Sequence, residues 1–165
     1  MKQAQFNELY LQTLKNGDFN GFRQLTAQYP QRANKAPRFA EVSELLASDA
    51  VEAEKFAQIA AFLRQNAVSK VRGACLCVAF LIALALFLLP ALGEQTDSSF
   101  YAVNGALLGL YVLLGAVAKN ALKFSAYAGF ALALAVLAGN IVLAGNAAGI
   151  VPVILMLSAI KTLPK

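Results

Sequence analysis

Residues 73–92 read GACLCVAFLIALALFLLPAL, twenty residues without a charged side chain. A helix of ~20 apolar residues covers the ~30 Å of a bilayer's hydrocarbon core. Pro90 lies near the end of the stretch, where it interrupts little. Directly upstream stand Arg64, Lys70 and Arg72. Directly downstream comes Gly93-Glu94-Gln95-Thr96-Asp97-Ser98-Ser99, a polar loop with two acids and no cation. This pattern predicts a membrane-spanning helix, and the rest of the chain is organised around it.

Three more apolar stretches follow. Residues 100–118 and 124–143 are predicted as the second and third spans, and residues 147–163 as a fourth and shortest one with Pro152 early in it. The turn between the last two is short and apolar, so one span plus a re-entrant hairpin over 124–163 is the alternative. The expected fold is all-α: a polytopic membrane protein, with a small helical domain over 1–70 and a four-span bundle over 71–165.

The charges support that division. Of 14 Lys and Arg, ten lie within residues 1–72, with seven of the nine acids. Beyond residue 72 only Glu94, Asp97, Lys119, Lys123, Lys161 and Lys165 are charged. Lys and Arg gather on the cytoplasmic side of membrane proteins. The segment before span one, the turn after span two and the tail hold cations, whereas the loops after spans one and three hold none. N-in, C-in is therefore the expected topology. The stretch 1–30 contains no apolar core of signal-peptide length, so the first span is expected to direct insertion. The combination suits a bacterial inner (cytoplasmic) membrane, and a eukaryotic organelle obeys the same charge rule.

Within the spans there is no Asp, Glu, Arg or His, and the chain has no His at all. Proton-coupled transport wants a titratable group near the midplane. Haem and zinc sites want His or clustered Cys. Nucleophilic catalysis wants a base beside the nucleophile. Neither a phosphate-cradling nor a dinucleotide-binding glycine motif occurs. No enzymatic activity, cofactor, metal or nucleic-acid partner is expected. Asn104, Tyr111 and Ser125 are the candidate intramembrane polar residues. Cys75 and Cys77, at i and i+2, point to nearly opposite faces of a helix and cannot bridge each other. Both are expected to be small buried residues, with palmitoylation the alternative.

Small residues at spacing four let helix backbones approach. Gly105 and Gly109 in span two and Gly145 and Gly149 at the start of span four are the candidate packing positions, either within the bundle or between copies. Gly129 with Ala133 and Ala135 with Gly139 repeat the spacing in span three.

The stretch 1–70 carries helical periodicity. Phe6, Leu9, Tyr10 and Leu14 share one face, and Asn16-Gly17 reads as a stop. Asp18 is a predicted N-cap for a helix bearing Phe19, Phe22, Leu25 and Tyr29. Residues 31–36 are expected to be a polar loop. Pro37 is expected in the first turn of a helix bearing Phe39, Val42, Leu45 and Leu46. Asp49 and Glu52 resemble a capping box before a helix with Phe56, Ile59, Ala60 and Leu63, running on into span one. From residue 19 to 40 there is no acid, while Arg23, Arg32, Lys35 and Arg38 supply four cations. These four are a candidate patch for lipid headgroups or a partner, or simply a solvated cytoplasmic loop.

Three functions from different classes fit these residues. One is a non-enzymatic, membrane-anchored accessory or interaction protein whose cytoplasmic domain binds a protein partner, as a subunit of a larger complex or an immunity-type protein. Another is an oligomeric small channel or transporter. The last is a lipid-binding or membrane-remodelling protein. The implied partners are the lipid bilayer and a protein, either foreign or a second copy.

Overall fold

The computed structural model describes residues 1–48, 52–93, 96–144 and 149–163. Its described elements are all helices: α1 (Gln3–Asn16), α2 (Phe19–Gln28), α3 (Pro30–Ala33), α4 (Phe39–Ala47), α5 (Glu52–Ala91), α6 (Ser98–Val117), α7 (Leu122–Ala144) and α8 (Ile150–Ile160). The chain separates into two compact units within α5, one ending at Gln65 and one spanning Asn66–Leu163.

In the first unit, the α1 stop falls at Gly17, where φ is +66°. That conformation is costly for any residue with a Cβ. The Gly17 N–H bonds the Leu14 carbonyl and the Asp18 N–H bonds that of Thr13, closing a Schellman turn. The Asp18 carboxylate accepts the Gly21 N–H at 2.8 Å and so caps α2. Residues 31–36 differ from the expected loop. Pro30 occupies the first position of the short helix α3, where its missing N–H is no loss. Ala33 and Ala36 are buried there, as their small side chains allow. Pro37 lies outside the helix that follows. That helix starts at Phe39 because Arg38 takes a left-handed conformation, φ +52°. The capping pair is not described, since Asp49 falls outside the described residues.

The core of this unit is aromatic. Phe6, Tyr10 and Phe22 are buried with Leu14, Val42, Leu46, Ile59 and Leu63. Tyr10 stacks on Phe6 at 6.3 Å and tilts on Phe22 at 5.5 Å. Its hydroxyl donates to the Pro37 carbonyl at 3.2 Å, so the polar end is satisfied. Phe56, placed on the buried stripe by periodicity, is 47% exposed and covers Gly17 and Phe19 from outside.

In the second unit, three helices are long and apolar enough to cross a membrane: α5, α6 and α7. α5 has 40 residues, about 60 Å at 1.5 Å per residue. Its charged first part belongs to the first unit and its apolar second part supplies span one. The segment predicted as the fourth span contains α8, an apolar helix of 11 residues, about 16 Å long. Gly149, at φ +100°, caps it, and a Cβ there would stand 3.4 Å from the Leu137 backbone. Gly145 falls outside the described residues. Val71, Cys75, Val78, Tyr111, Ala118, Ala126, Ala133, Met156 and Ala159 form the buried core.

Candidate functional site

Two concave surfaces on the first unit hold its polar chemistry. One is a groove of about 290 Å³ beside α4 and the first part of α5. Val42, Leu45, Ile59 and Phe62 line it, and Arg38, Glu41, Gln58 and Gln65 contribute polar side chains. The left-handed turn at Arg38 aims its guanidinium across the edge of this groove. Nη2 pairs with Glu41 at 2.6 Å, Nη1 donates to Gln65 at 2.8 Å, and the group lies 5.7 Å from the Phe62 ring centre. The hydrogen bond and charge of Glu41 hold Arg38 protonated.

The other is a cleft of about 400 Å³ by α3. Arg32 and Lys35 line it with Gln3, Gln28, Tyr29 and Gln31. Gln3 Nε2 donates to the Arg32 carbonyl at 3.0 Å and to Asn7 at 2.9 Å, tying α1 to the floor of the cleft. The Tyr29 ring stands edge-on to Phe6 at 6.4 Å. Of the four cations predicted as one patch, the structure brings only Arg32 and Lys35 to this cleft. Arg23 lines a separate surface near Phe39, and Arg38 is engaged with Glu41. Spacing alone does not separate Arg38 from the others, because its partner is chosen by a backbone turn that spacing does not encode.

In the second unit the predicted polar residues part company. Tyr111 is 1% exposed, and its hydroxyl donates to the Gly129 carbonyl at 3.1 Å. Ser125, one turn earlier on α7, is fully buried, and its hydroxyl has no partner among the described residues. Asn104 donates to the carbonyl of Phe100 at 2.9 Å, within its own helix. Tyr111 and Ser125 thus belong to the helix core and Asn104 does not. Cys75 is buried, while Cys77 is exposed, contrary to the expectation that both are buried. The two-residue offset turns one toward the core and the other away.

The glycine pairs also divide. Gly129 lies under Met156, whose Cε would be 2.6 Å from an added Cβ, and Gly115 lies 3.4 Å from Cys75 by the same measure. Gly105 and Gly109 meet nothing within 4 Å. Met156, fully buried, is the contact that sequence reading missed. An unbranched thioether in an apolar helix gives no signal of which glycine it will cover.

Compared with protein families, characterised proteins and solved structures, the chain matches none.

Proposed function

We propose that this chain is a non-enzymatic, membrane-anchored accessory protein whose N-terminal helical domain binds a protein partner, as a subunit of a larger complex or as an immunity-type protein. The observation that carries this reading is the groove beside α4 and α5, with apolar side chains inside and a polar rim of Arg38, Glu41, Gln58 and Gln65. Protein interfaces share that anatomy, an apolar centre within a polar rim. The domain that bears it is small, and domains of this size gain much of their stability from partners. In contrast, the spans hold no Asp, Glu, Arg or His on which proton-coupled transport could act. In this reading the domain and the C-terminal tail lie on the cytoplasmic side of a bacterial inner membrane.

The test is gentle detergent extraction at native expression, followed by the mass and composition of the particle. A foreign chain at fixed stoichiometry is expected. It should be lost from Leu45→Glu/Gln58→Glu, variants at the groove, while the helicity and melting of the chain are retained. A particle containing only copies of this chain would contradict the proposal and favour an oligomeric channel or transporter.

A further inference from the structure

The cleft by α3 has a composition that the partner-binding groove does not share. Apart from Pro30, every side chain that lines it can donate a hydrogen bond: Gln3, Gln28, Tyr29, Gln31, Arg32 and Lys35. No carboxylate lines it. Neither Arg32 nor Lys35 makes an ion pair among the described residues, where Arg38–Glu41 is the pair formed. Arg32 and Lys35 therefore place two positive charges at one cleft with no acidic partner there, an arrangement that a bound anion would complement. The Lys35 N–H bonds the Arg32 carbonyl at 3.1 Å, which continues the turn of α3 and keeps both side chains on one side. Gln3 anchors the same carbonyl, so the pair sits on a floor held by α1. A guanidinium offers paired donors that match phosphate, and a nearby ammonium adds a point charge. The volume, about 400 Å³, lies within the ~300–1,000 Å³ typical of small-ligand sites.

We infer that the cleft formed by Arg32, Lys35, Tyr29 and the glutamines around them is a binding site for a phosphate-bearing anion. This stands independently of the partner-binding reading. The phosphate can come from a lipid headgroup or from a soluble compound, and the experiment separates these sources.

The full chain in a neutral detergent would be titrated with inorganic pyrophosphate and, separately, with short-chain phosphatidylglycerol. Short-chain phosphatidylcholine sets the background, and native mass spectrometry counts the ligands retained. One saturable anion per chain is expected. Retention of phosphatidylglycerol alone assigns a lipid headgroup, and retention of pyrophosphate assigns a soluble phosphate compound. Arg32→Gln/Lys35→Gln should weaken binding about tenfold or more, since each cation near a phosphate adds roughly fivefold. Lys2→Gln/Arg23→Gln removes the same charge outside the cleft and should stay within about twofold of the parent. The fold contact at Arg32 is its backbone carbonyl, so the cleft variant keeps it. Should its melting nonetheless drop, Lys35→Gln alone, at an exposed side chain, is expected to give about fivefold. The proposal is overturned if neither anion binds above the phosphatidylcholine background, or if both double variants lose affinity equally.

Discussion

Phe6 and Tyr10 are fully buried in the N-terminal unit, with Phe22 at 3% exposure. In the membrane unit Ala118, Ser125 and Ala126 are as fully buried, while Phe80, Phe87 and Val142 are 66%, 79% and 80% exposed. One unit gathers its aromatic mass inside and the other turns much of it out. Water drives the first arrangement, because apolar area removed from it is worth ~25 cal/mol per Å². Lipid supplies no such drive between helices, so close packing of small residues and interhelical hydrogen bonds hold the second. Tyr111 and Met156 are the largest fully buried residues of the membrane core: Met156 takes the space that a Cβ at Gly129 would need, and Tyr111 donates to the Gly129 carbonyl. Size at a buried position therefore teaches different things in the two units: filling in one, and fitting around a glycine in the other.

The largest test of that contrast is Phe22→Ala. Removing a buried phenylalanine costs ~3–5 kcal/mol, about as much as a core of this size supplies in all. Residues 1–65 are expected to become protease-sensitive while the membrane unit keeps its detergent-bound size on a column. Loss of both together would break the separation into two units.

Next come two glycines of one helix. Gly115→Leu pushes a side chain into Cys75 and should destabilise the bundle by ~1–3 kcal/mol. Gly109→Leu faces open space and should stay within ~0.5 kcal/mol. Detergent-induced unfolding of the two variants measures the difference, and equal costs would mean that the α6 faces are misassigned.

A smaller effect separates polar groups in the two cores. Tyr10→Phe removes the bond to the Pro37 carbonyl. At neutral pH such a bond is worth roughly 1 kcal/mol. Burial also pushes the Tyr10 phenol above its ordinary value of 10. A raised folded value means that this stability is complete below pH ~10 and lost as pH rises toward the folded value. Alkaline unfolding of the domain should accordingly set in near pH ~10 and be flatter in Tyr10→Phe. Tyr111→Phe is the smallest of the set. Hydrogen bonds between membrane helices average ~0.6 kcal/mol, so a loss near that size is expected in the same unfolding assay used for the glycines.

Much of this architecture is legible in the sequence, where one local rule decides. Charge-free length marks α5, α6 and α7, Gly17 marks the end of α1, and Asp18 marks the start of α2. The run of α5 from charged to apolar residues is visible because no breaker intervenes before Pro90. What stays hidden depends on contacts made elsewhere in the chain. Arg38 leaves the basic patch because its left-handed turn hands it to Glu41 and Gln65. Cys77 faces outward because α5 packs on its Cys75 side, and an almost uniformly apolar helix carries little periodicity to say so. The candidate cleft is half legible: the spacing of Arg32 and Lys35 is in the sequence, but the anchoring by Gln3, 29 residues away, is not.

Underlying all of this is the proposal of a chain built for two solvents, with its cationic segments all facing the same water phase. The short α8 makes the C-terminal tail the point where that proposal is most exposed. Single cysteines at Gln31, Asp97, Asn120 and Thr162, in a Cys75→Ala/Cys77→Ala background, would be probed in intact cells with a membrane-impermeant maleimide. Labelling is expected at residue 97 alone, with 31, 120 and 162 reacting only after the membrane is opened. Labelling at 162 in intact cells, with 120 still shielded, would put the tail on the opposite side and contradict it.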